Sequence, residues 1–200
     1  MTSQTGVRVY QVTDEQNASQ GELKYASSAP AFLELFLGPA FQRRRLFQRR
    51  INWDRIVFIS VDGELAGYLQ FYLKGKGPHQ PLFSDMRDEY GAAGALWRFP
   101  LYYLLEKRFK RFKRCEAYLY RVIVKDSFRA QGLGRQLVEQ WLVMMNDQGI
   151  KIVELEVWGN NTKAQSLYSS LGFGVVARHS LPFQGRGFQN GKLIRMARKQ

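Results

Sequence analysis

The stretch Arg129-Ala130-Gln131-Gly132-Leu133-Gly134 constrains this chain most, because it joins two segments of different periodicity. Before it, Ala117 to Val124 (AYLYRVIV) is aromatic and β-branched, the composition of a strand. After it, Leu133, Leu137, Val138, Trp141, Leu142 and Met145 recur at helical spacing and form one apolar face. A strand that turns into a helix through glycines can aim successive backbone N–H groups outward, since glycine has no Cβ to block a ligand's approach. The helix N-terminus adds partial positive charge there. Such a loop fits a pyrophosphate. Taken alone, glycines at this position also serve simply to turn the chain.

The residues that follow narrow the choice. Ile150 to Trp158 is a second apolar strand, and beyond Gly159 runs Asn160-Asn161-Thr162-Lys163-Ala164-Gln165-Ser166-Leu167-Tyr168-Ser169-Ser170-Leu171-Gly172-Phe173. Here the chain resembles the GNAT superfamily of acetyl-CoA-dependent N-acyltransferases. Arg129 to Gly134 matches that family's pyrophosphate loop: Arg or Gln, two residues, Gly, any residue, Gly or Ala. Asn161, Ala164, Leu167, Tyr168, Leu171, Gly172 and Phe173 match its second motif, Asn-x-x-Ala-x-x-Leu-Tyr-x-x-Leu-Gly-Phe. The two motifs are separated by a helix and a strand, as in the family. The resemblance is close over residues 115 to 180 and looser over most of the remainder. It implies an α/β fold with a mixed, mostly antiparallel central sheet flanked by helices. It also implies one domain over 1–200, with a helical insertion at about 78–114 before the central strand.

The resemblance carries roles with it. Acetyl-CoA would be the co-substrate, without a metal. Main-chain groups of Arg129, Ala130, Gln131, Gly132, Leu133, Gly134 and Arg135 would hold its phosphates. The strand segment Val122, Ile123 and Val124 would pair with the pantetheine arm, and Asn161 and Ala164 would lie beside it. A main-chain N–H near Val122 would polarise the acetyl carbonyl. Tyr168 matches the family's acid for the departing thiolate; its alternative is an apolar helical face with Ala164, Leu167 and Leu171. Many relatives place a basic glutamate six residues before the position of Val124, where this chain has Tyr118. Glu116, one strand repeat earlier, is the first candidate base, acting through water, and Glu156 is the second; both also suit a surface or a salt bridge. Attack would be direct, in a ternary complex. The lone Cys115 has no obvious His partner and is not needed as a nucleophile.

Composition agrees with this and excludes other classes. One cysteine cannot form an internal disulfide and offers no thiolate metal cluster. The polar N-terminus lacks an export signal and no run approaches a membrane span, so the expected compartment is the cytoplasm. A net charge of +13 suits an anionic coenzyme, nucleic acid or an anionic surface without choosing among them. No zinc-finger spacing or RNA-binding aromatic motif supports a nucleic-acid module. The competing class is a non-catalytic acyl-CoA-binding or sensing domain, which the missing strand glutamate favours. The acceptor expected is a small-molecule or peptide amine. The basic chain disfavours a highly cationic polyamine unless a local acidic pocket reverses that. The oligomeric state is open, with a dimer compatible.

In chain order, Val7 to Val12 reads as a strand and 13–28 as a polar loop. Phe32 to Leu37 and Ala40 to Ile51 read as helices, the second with a solvated face of Arg43, Arg44, Arg45, Arg49 and Arg50. Arg55 to Val61 and Leu65 to Lys74 flank Asp62-Gly63, a hairpin signal. Gly75 to Pro81 is turn-rich, with His79 expected on the surface. Pro100 is expected to open a helix whose apolar arc holds Leu101, Leu104, Leu105, Phe109 and Phe112, opposite Lys107, Lys110 and Arg114. That helix would pack on the sheet, or rest weakly and salt-sensitively on anionic membrane. The acceptor would be read by the early helices, the insertion and the tail around Phe183 to Phe188.

Overall fold

The computed structural model describes residues 6–110, 116–180 and 192–200, apart from the side chains of Phe32, Arg108, Phe109 and Lys110. Cys115, Phe112, Arg114 and the Phe183–Phe188 tail therefore lie outside the described residues. Seven strands form one sheet: β1 (Val7–Tyr10), β2 (Ile56–Val61), β3 (Glu64–Leu73), β4 (Ala117–Val124), β5 (Ile152–Trp158), β6 (Gly174–Ser180) and β7 (Lys192–Lys199). Their spatial order is β1-β2-β3-β4-β5-β7-β6. Every neighbouring pair is antiparallel except β4 and β5. The expected mixed, mostly antiparallel sheet with flanking helices is what forms.

Six helices accompany it among the described residues: α1 (Gln20–Ala26), α2 (Glu34–Leu37), α3 (Ala40–Gln48), α4 (Phe83–Lys110), α5 (Leu133–Asp147) and α6 (Thr162–Ser170). The apolar face read in α5 is the buried one, with Leu133, Leu137, Val138, Trp141, Leu142 and Met145 all inside. It packs with β2–β5, α6 and Phe173 into the main core. At roughly 1.5–3 kcal/mol for each large apolar side chain withdrawn from water, this face alone fixes α5 firmly to the sheet.

The other side of the sheet departs from expectation. Residues 13–28 are not all loop: α1 opens on a capping box in which Ser19 Oγ accepts from Glu22 N–H and the Glu22 carboxylate accepts from Ser19 N–H. The insertion helix does not begin at Pro100. It runs from Phe83 through Pro100, broken once at Gly91, where φ is 72°. Its inward face is Ala95, Tyr102 and Leu105, packed on α2 and α3 with Phe36, Leu37 and Phe47. Leu101 and Leu104, 38% and 62% exposed, point to water rather than to the sheet. Exposure of this kind is what contact with a lipid surface requires, although no helix among the described residues is long and apolar enough to cross a membrane.

The arginines of α3 and of the turn that follows it are not simply a solvated face. Arg45, Arg49 and Arg50 meet Glu89, Asp88 and Asp85 of α4. Arg43 is buried and donates to Gly38 O at 2.6 Å. Tyr90 Oη donates to Leu37 O and Arg98 Nε to Phe36 O. The orphan carbonyls at the end of the four-residue helix α2 are thus satisfied by side chains of α3 and α4, which lock the insertion onto the domain.

His79 is buried, not on the surface. It stacks on Phe47 with ring centroids 4.6 Å apart, and its Nε2 lies 2.6 Å from Ala26 O, so Nε2 carries a proton and donates. Burial lowers its pKa to about 4 against the backbone hydrogen bond that raises it. Unfolded, the ring takes a proton near pH 6.5; folded, it resists until about pH 4. Protons therefore bind the unfolded chain preferentially across that window, and stability should fall as pH drops from about 6.5 to about 4, by on the order of 3 kcal/mol. His79→Gln keeps an N–H donor for Ala26 and cannot titrate. Denaturant titrations over that range should show a flatter profile for the variant; parallel profiles would refute the assignment.

Candidate active site

The site is built around a gap. β4 pairs with β5 only through Ala117, Tyr118 and Leu119, opposite Val153, Glu154 and Leu155. Beyond Leu119 the two strands part, while β4 stays paired with β3 as far as Val124. Lys125 N–H donates to Ala66 O at 2.8 Å, toward β3. Because the direction of backbone groups alternates along a strand, Ile123 also faces β3, and Val122 and Val124 turn N–H and C=O into the gap. These backbone groups could pair with an extended guest as another strand would.

Close contact with β3 holds this half of β4. A Cβ built on Gly67 would lie 2.5 Å from Ile123 O and 3.1 Å from Val124 Cα, so a side chain there displaces one strand. At Tyr120 the register slips: Gln70 faces Arg121 and Phe71 faces Leu119, leaving Tyr120 unopposed. This bulge puts Tyr118, Tyr120 and Arg121 on one side of the sheet. Ala117, Leu119, Val122 and Val124 pack on the α5 side.

β4 leads through a short 3₁₀ turn, Asp126–Phe128, to the loop Arg129–Gly134 and α5. Ala130 and Gly132 both have positive φ, 62° and 77°, with Gly132 at the N-cap of α5. Left-handed residues in such a loop turn backbone N–H groups into an anion-binding concavity. Leu133, Gly134 and Arg135 occupy the first turn of α5, where N–H groups lack intrahelical acceptors. Arg129 is exposed and paired with Asp126 at 2.7 Å. Arg135 leans on Glu139 at 3.2 Å and donates to Ser170 Oγ. A Cβ on Gly134 would only touch Val124 Cγ2 and Leu167 Cδ2, at 3.9 and 4.0 Å, so close packing joins loop, strand and α6 here.

Asn161 Oδ1 accepts from Ala164 N–H at 3.1 Å, capping α6. That cap accounts for the side chain locally. Tyr168 is buried and sits edge-on to Phe173 at 5.9 Å. Burial alone pushes its pKa up to about 12, so it is a neutral O–H donor at physiological pH. Glu116 precedes β4, exposed, its main-chain carbonyl accepting from Lys74 N–H at 2.7 Å. Glu156 lies on β5 and accepts from Tyr118 Oη at 3.4 Å. The phenol that stands where relatives have a carboxylate is thus directed at the carboxylate of the next strand.

Opposite the α5 side, a group that sequence reasoning missed surrounds Tyr120. A small, partly open pocket is lined by Ala29, Leu33, Phe47, Tyr72, His79, Tyr102, Leu105, Glu106 and Tyr120. Tyr72 and Tyr102 donate to Glu106 Oε1 at 2.7 and 3.1 Å. Burial first, and then the neighbouring Glu106, hold all three tyrosine phenols well above their ordinary range. The available signal was Tyr102-x-x-x-Glu106, four residues apart on one helical face, but its partners come from distant strands.

A strand opened beside a left-handed loop at a helix N-terminus is the architecture of an acyl-coenzyme A N-acyltransferase. The chain belongs to the acetyltransferase (GNAT) family, whose model matches residues 25–173. The alanine N-acetyltransferase of ribosomal protein bS18 from Escherichia coli is 40% identical over 58 residues, 29% of this chain. That match spans only 39% of the curated relative's length. The crystal structure of the same type of enzyme from Escherichia coli superposes with a TM-score of 0.56 at 17% identity, covering 97% of this chain and 94% of that one. An acetyltransferase from Bacillus subtilis, solved in complex with CoA, gives a TM-score of 0.55 at 14% identity over 98% and 99% of the two chains.

The Gly67 contact supplies a test remote from any ligand. Gly67→Ala should push β4 off its position and weaken acetyl-CoA binding about tenfold, the effect of losing one or two backbone hydrogen bonds. Calorimetry on the folded variant measures this; unchanged affinity would show that the β4 backbone does not grip the coenzyme.

Proposed function

We propose that this protein is an N-acetyltransferase that transfers an acetyl group from acetyl-CoA to a primary amine by direct attack in a ternary complex. The observation that carries the reading is the gap between β4 and β5, opened beside the left-handed loop at the start of α5. The loop Arg129–Gly134, with the Arg135 N–H, holds the pyrophosphate. Val122 and Val124 pair with the pantetheine arm, Ile123 keeps the strand on β3, and Asn161 and Ala164 border the arm from α6. The N–H of Val122 stabilises the oxyanion as the nitrogen adds to the thioester carbon. When the C–S bond breaks, Tyr168 gives its proton to the thiolate. Glu116, just before β4 and acting through water, and Glu156 on β5 are the carboxylates that can take the amine's proton. No metal enters this scheme.

Two measurements test it. Gly132→Asn and Gly132→Asp place side chains of equal shape at the same left-handed position, and only the second carries charge. Acetyl-CoA affinity should fall about 10- to 100-fold further for Asp than for Asn, through repulsion from the phosphates. Equal losses in calorimetry would remove the pyrophosphate from this loop. Tyr168→Phe should lower turnover by about 10²-fold while coenzyme affinity holds, since only transition-state stabilisation is lost. Tight coenzyme binding without turnover of any amine in the wild type would instead identify an acyl-CoA sensor.

A further inference from the structure

The outer face of α4 carries large apolar side chains that the fold leaves uncovered. We infer that this face docks the protein on an anionic lipid bilayer. Leu96, Trp97, Leu101, Tyr103 and Leu104 rest at the boundary between headgroups and acyl chains, with cations beside them. The inference goes beyond the acetyltransferase reading and does not depend on it.

Shape comes first. In one unbroken helix, Phe83 and Phe99 would stand about 24 Å apart along the axis, at about 1.5 Å per residue. Their rings instead meet edge-on with centroids 5.7 Å apart, because the chain folds back at Gly91. Met86 before the break, and Ala95 and Tyr102 after it, share a buried cluster with α2 and α3. The limb that follows Gly91 therefore has one face on the domain and the other turned outward. On the outward face Leu96 and Leu104 are 66% and 62% exposed, and Trp97, Leu101 and Tyr103 are exposed with them. Leu96, Pro100, Tyr103 and Lys107 form one row at helical spacing, and Trp97, Leu101 and Leu104 form the row beside it. Scattered apolar side chains on a surface need no explanation. Five of them between Leu96 and Leu104 make a continuous patch, which marks a contact surface.

Charge comes second. Arg98 Nε donates to Phe36 O at 2.8 Å, and its guanidinium lies 4.1 Å from the Trp97 ring centroid. The exposed indole is thus stacked on a cation that is itself fixed to the domain. Lys107 Nζ lies 5.1 Å from the Tyr103 ring centroid, at the other end of the patch. Between Gly91 and Lys107 the single acid is Glu106, and Tyr72 and Tyr102 donate to it from the domain side. In the sequence directly after Lys107 comes Arg108-Phe109-Lys110-Arg111-Phe112-Lys113-Arg114, with five cations and no acid. Apolar rows joined to unopposed positive charge are the chemistry of a helix that lies on an anionic bilayer. Tryptophan, with an apolar body and one polar edge, suits that boundary.

Pro100 sets the depth. It has no N–H, so the Leu96 carbonyl has no donor one turn on and needs water or a headgroup. The limb therefore lies in the headgroup layer and does not enter the hydrocarbon. The combination of groups selects the partner. A nucleic acid would use the cations and leave the leucines wet. A second copy of this chain would cover the leucines but gather the cations of two copies at one interface, in a chain that already carries a net charge of +13. An anionic bilayer satisfies the leucines and the cations together.

The test is co-sedimentation of the full chain with vesicles of phosphatidylcholine, alone or with about 30 mol% phosphatidylserine. Partitioning should be at least about tenfold higher on the anionic vesicles, and should fall about tenfold as salt rises from about 0.05 M to about 0.3 M. Leu96→Gln combined with Leu104→Gln, both at exposed positions, should lower partitioning about tenfold while acetyl-CoA affinity and thermal midpoint stay as in wild type. Tryptophan emission of the wild type should shift to the blue on anionic vesicles. Trp97→Phe should still bind and lose that shift, which keeps the test independent of the leucine variant. Absence of binding at low salt overturns the proposal, as does equal binding to neutral and anionic vesicles. Full binding by the double leucine variant also overturns it, since charge alone would then suffice. Binding to a single-stranded RNA without binding to vesicles assigns the cations to nucleic acid and overturns it. A dimer that the leucine variant dissociates, again without vesicle binding, assigns the face to a second copy and overturns it too. Vesicle binding without any coenzyme binding overturns the acetyltransferase reading and leaves this surface standing.

Discussion

Parallel pairing between β4 and β5 lasts three residues, and the rest of the structure depends on where it stops. A backbone that leaves a sheet must find other partners for its N–H and C=O groups or expose them to solvent. On one side β4 keeps β3, through a contact at Gly67 too close for any side chain. On the other side it offers Val122 and Val124 to whatever enters. An extended guest would meet this need as another strand does. The adjoining helix α5 begins where this edge ends, so one turn joins the open strand edge to a helix N-terminus.

The loop holds its shape because what flanks it is rigid. Ala130 adopts a left-handed conformation that is disfavoured for a residue with a Cβ, and Gly132 adopts one that glycine accepts readily. A short loop keeps such a conformation only when its surroundings determine it. Here the surroundings are the buried face of α5 and the packing of Gly134 between Val124 and Leu167. Strand, loop and α6 therefore form one body, which brings together residues well separated in the chain.

Features set by local periodicity were legible in the sequence. The face of α5, the Asp62-Gly63 hairpin and the strand–loop–helix unit all follow from spacings within about fifteen residues, a range over which pattern determines burial. The capping box at Ser19 and Glu22 was equally local, but the polar composition of 13–28 obscured it. What could not be read depends on distant partners. His79 is buried because Phe47 and Ala26 come to it from α3 and α1. Arg45, Arg49 and Arg50, in α3 and the turn after it, are paired because α4, which passes through Gly91 and Pro100, presents three acids to them. The bulge at Tyr120 exists only in the register with β3. The direction of Leu101 and Leu104 likewise follows from which face of α4 meets α2 and α3, something a fourteen-residue window starting at Pro100 could not supply.

The bulge also sorts the side chains of β4 between two faces. In a regular strand, side chains alternate between faces, and consecutive residues cannot both face the same way. By spending an extra residue at Tyr120, β4 keeps Ala117, Leu119, Val122 and Val124 in the core under α5, while Tyr118, Tyr120 and Arg121 share the opposite face. At Tyr118 the phenol reaches across to Glu156 on β5. The insertion is tied down by the carbonyls at the end of α2 and by arginines of α3 and of the turn after it, so α4 is held to the domain by backbone groups and charges together.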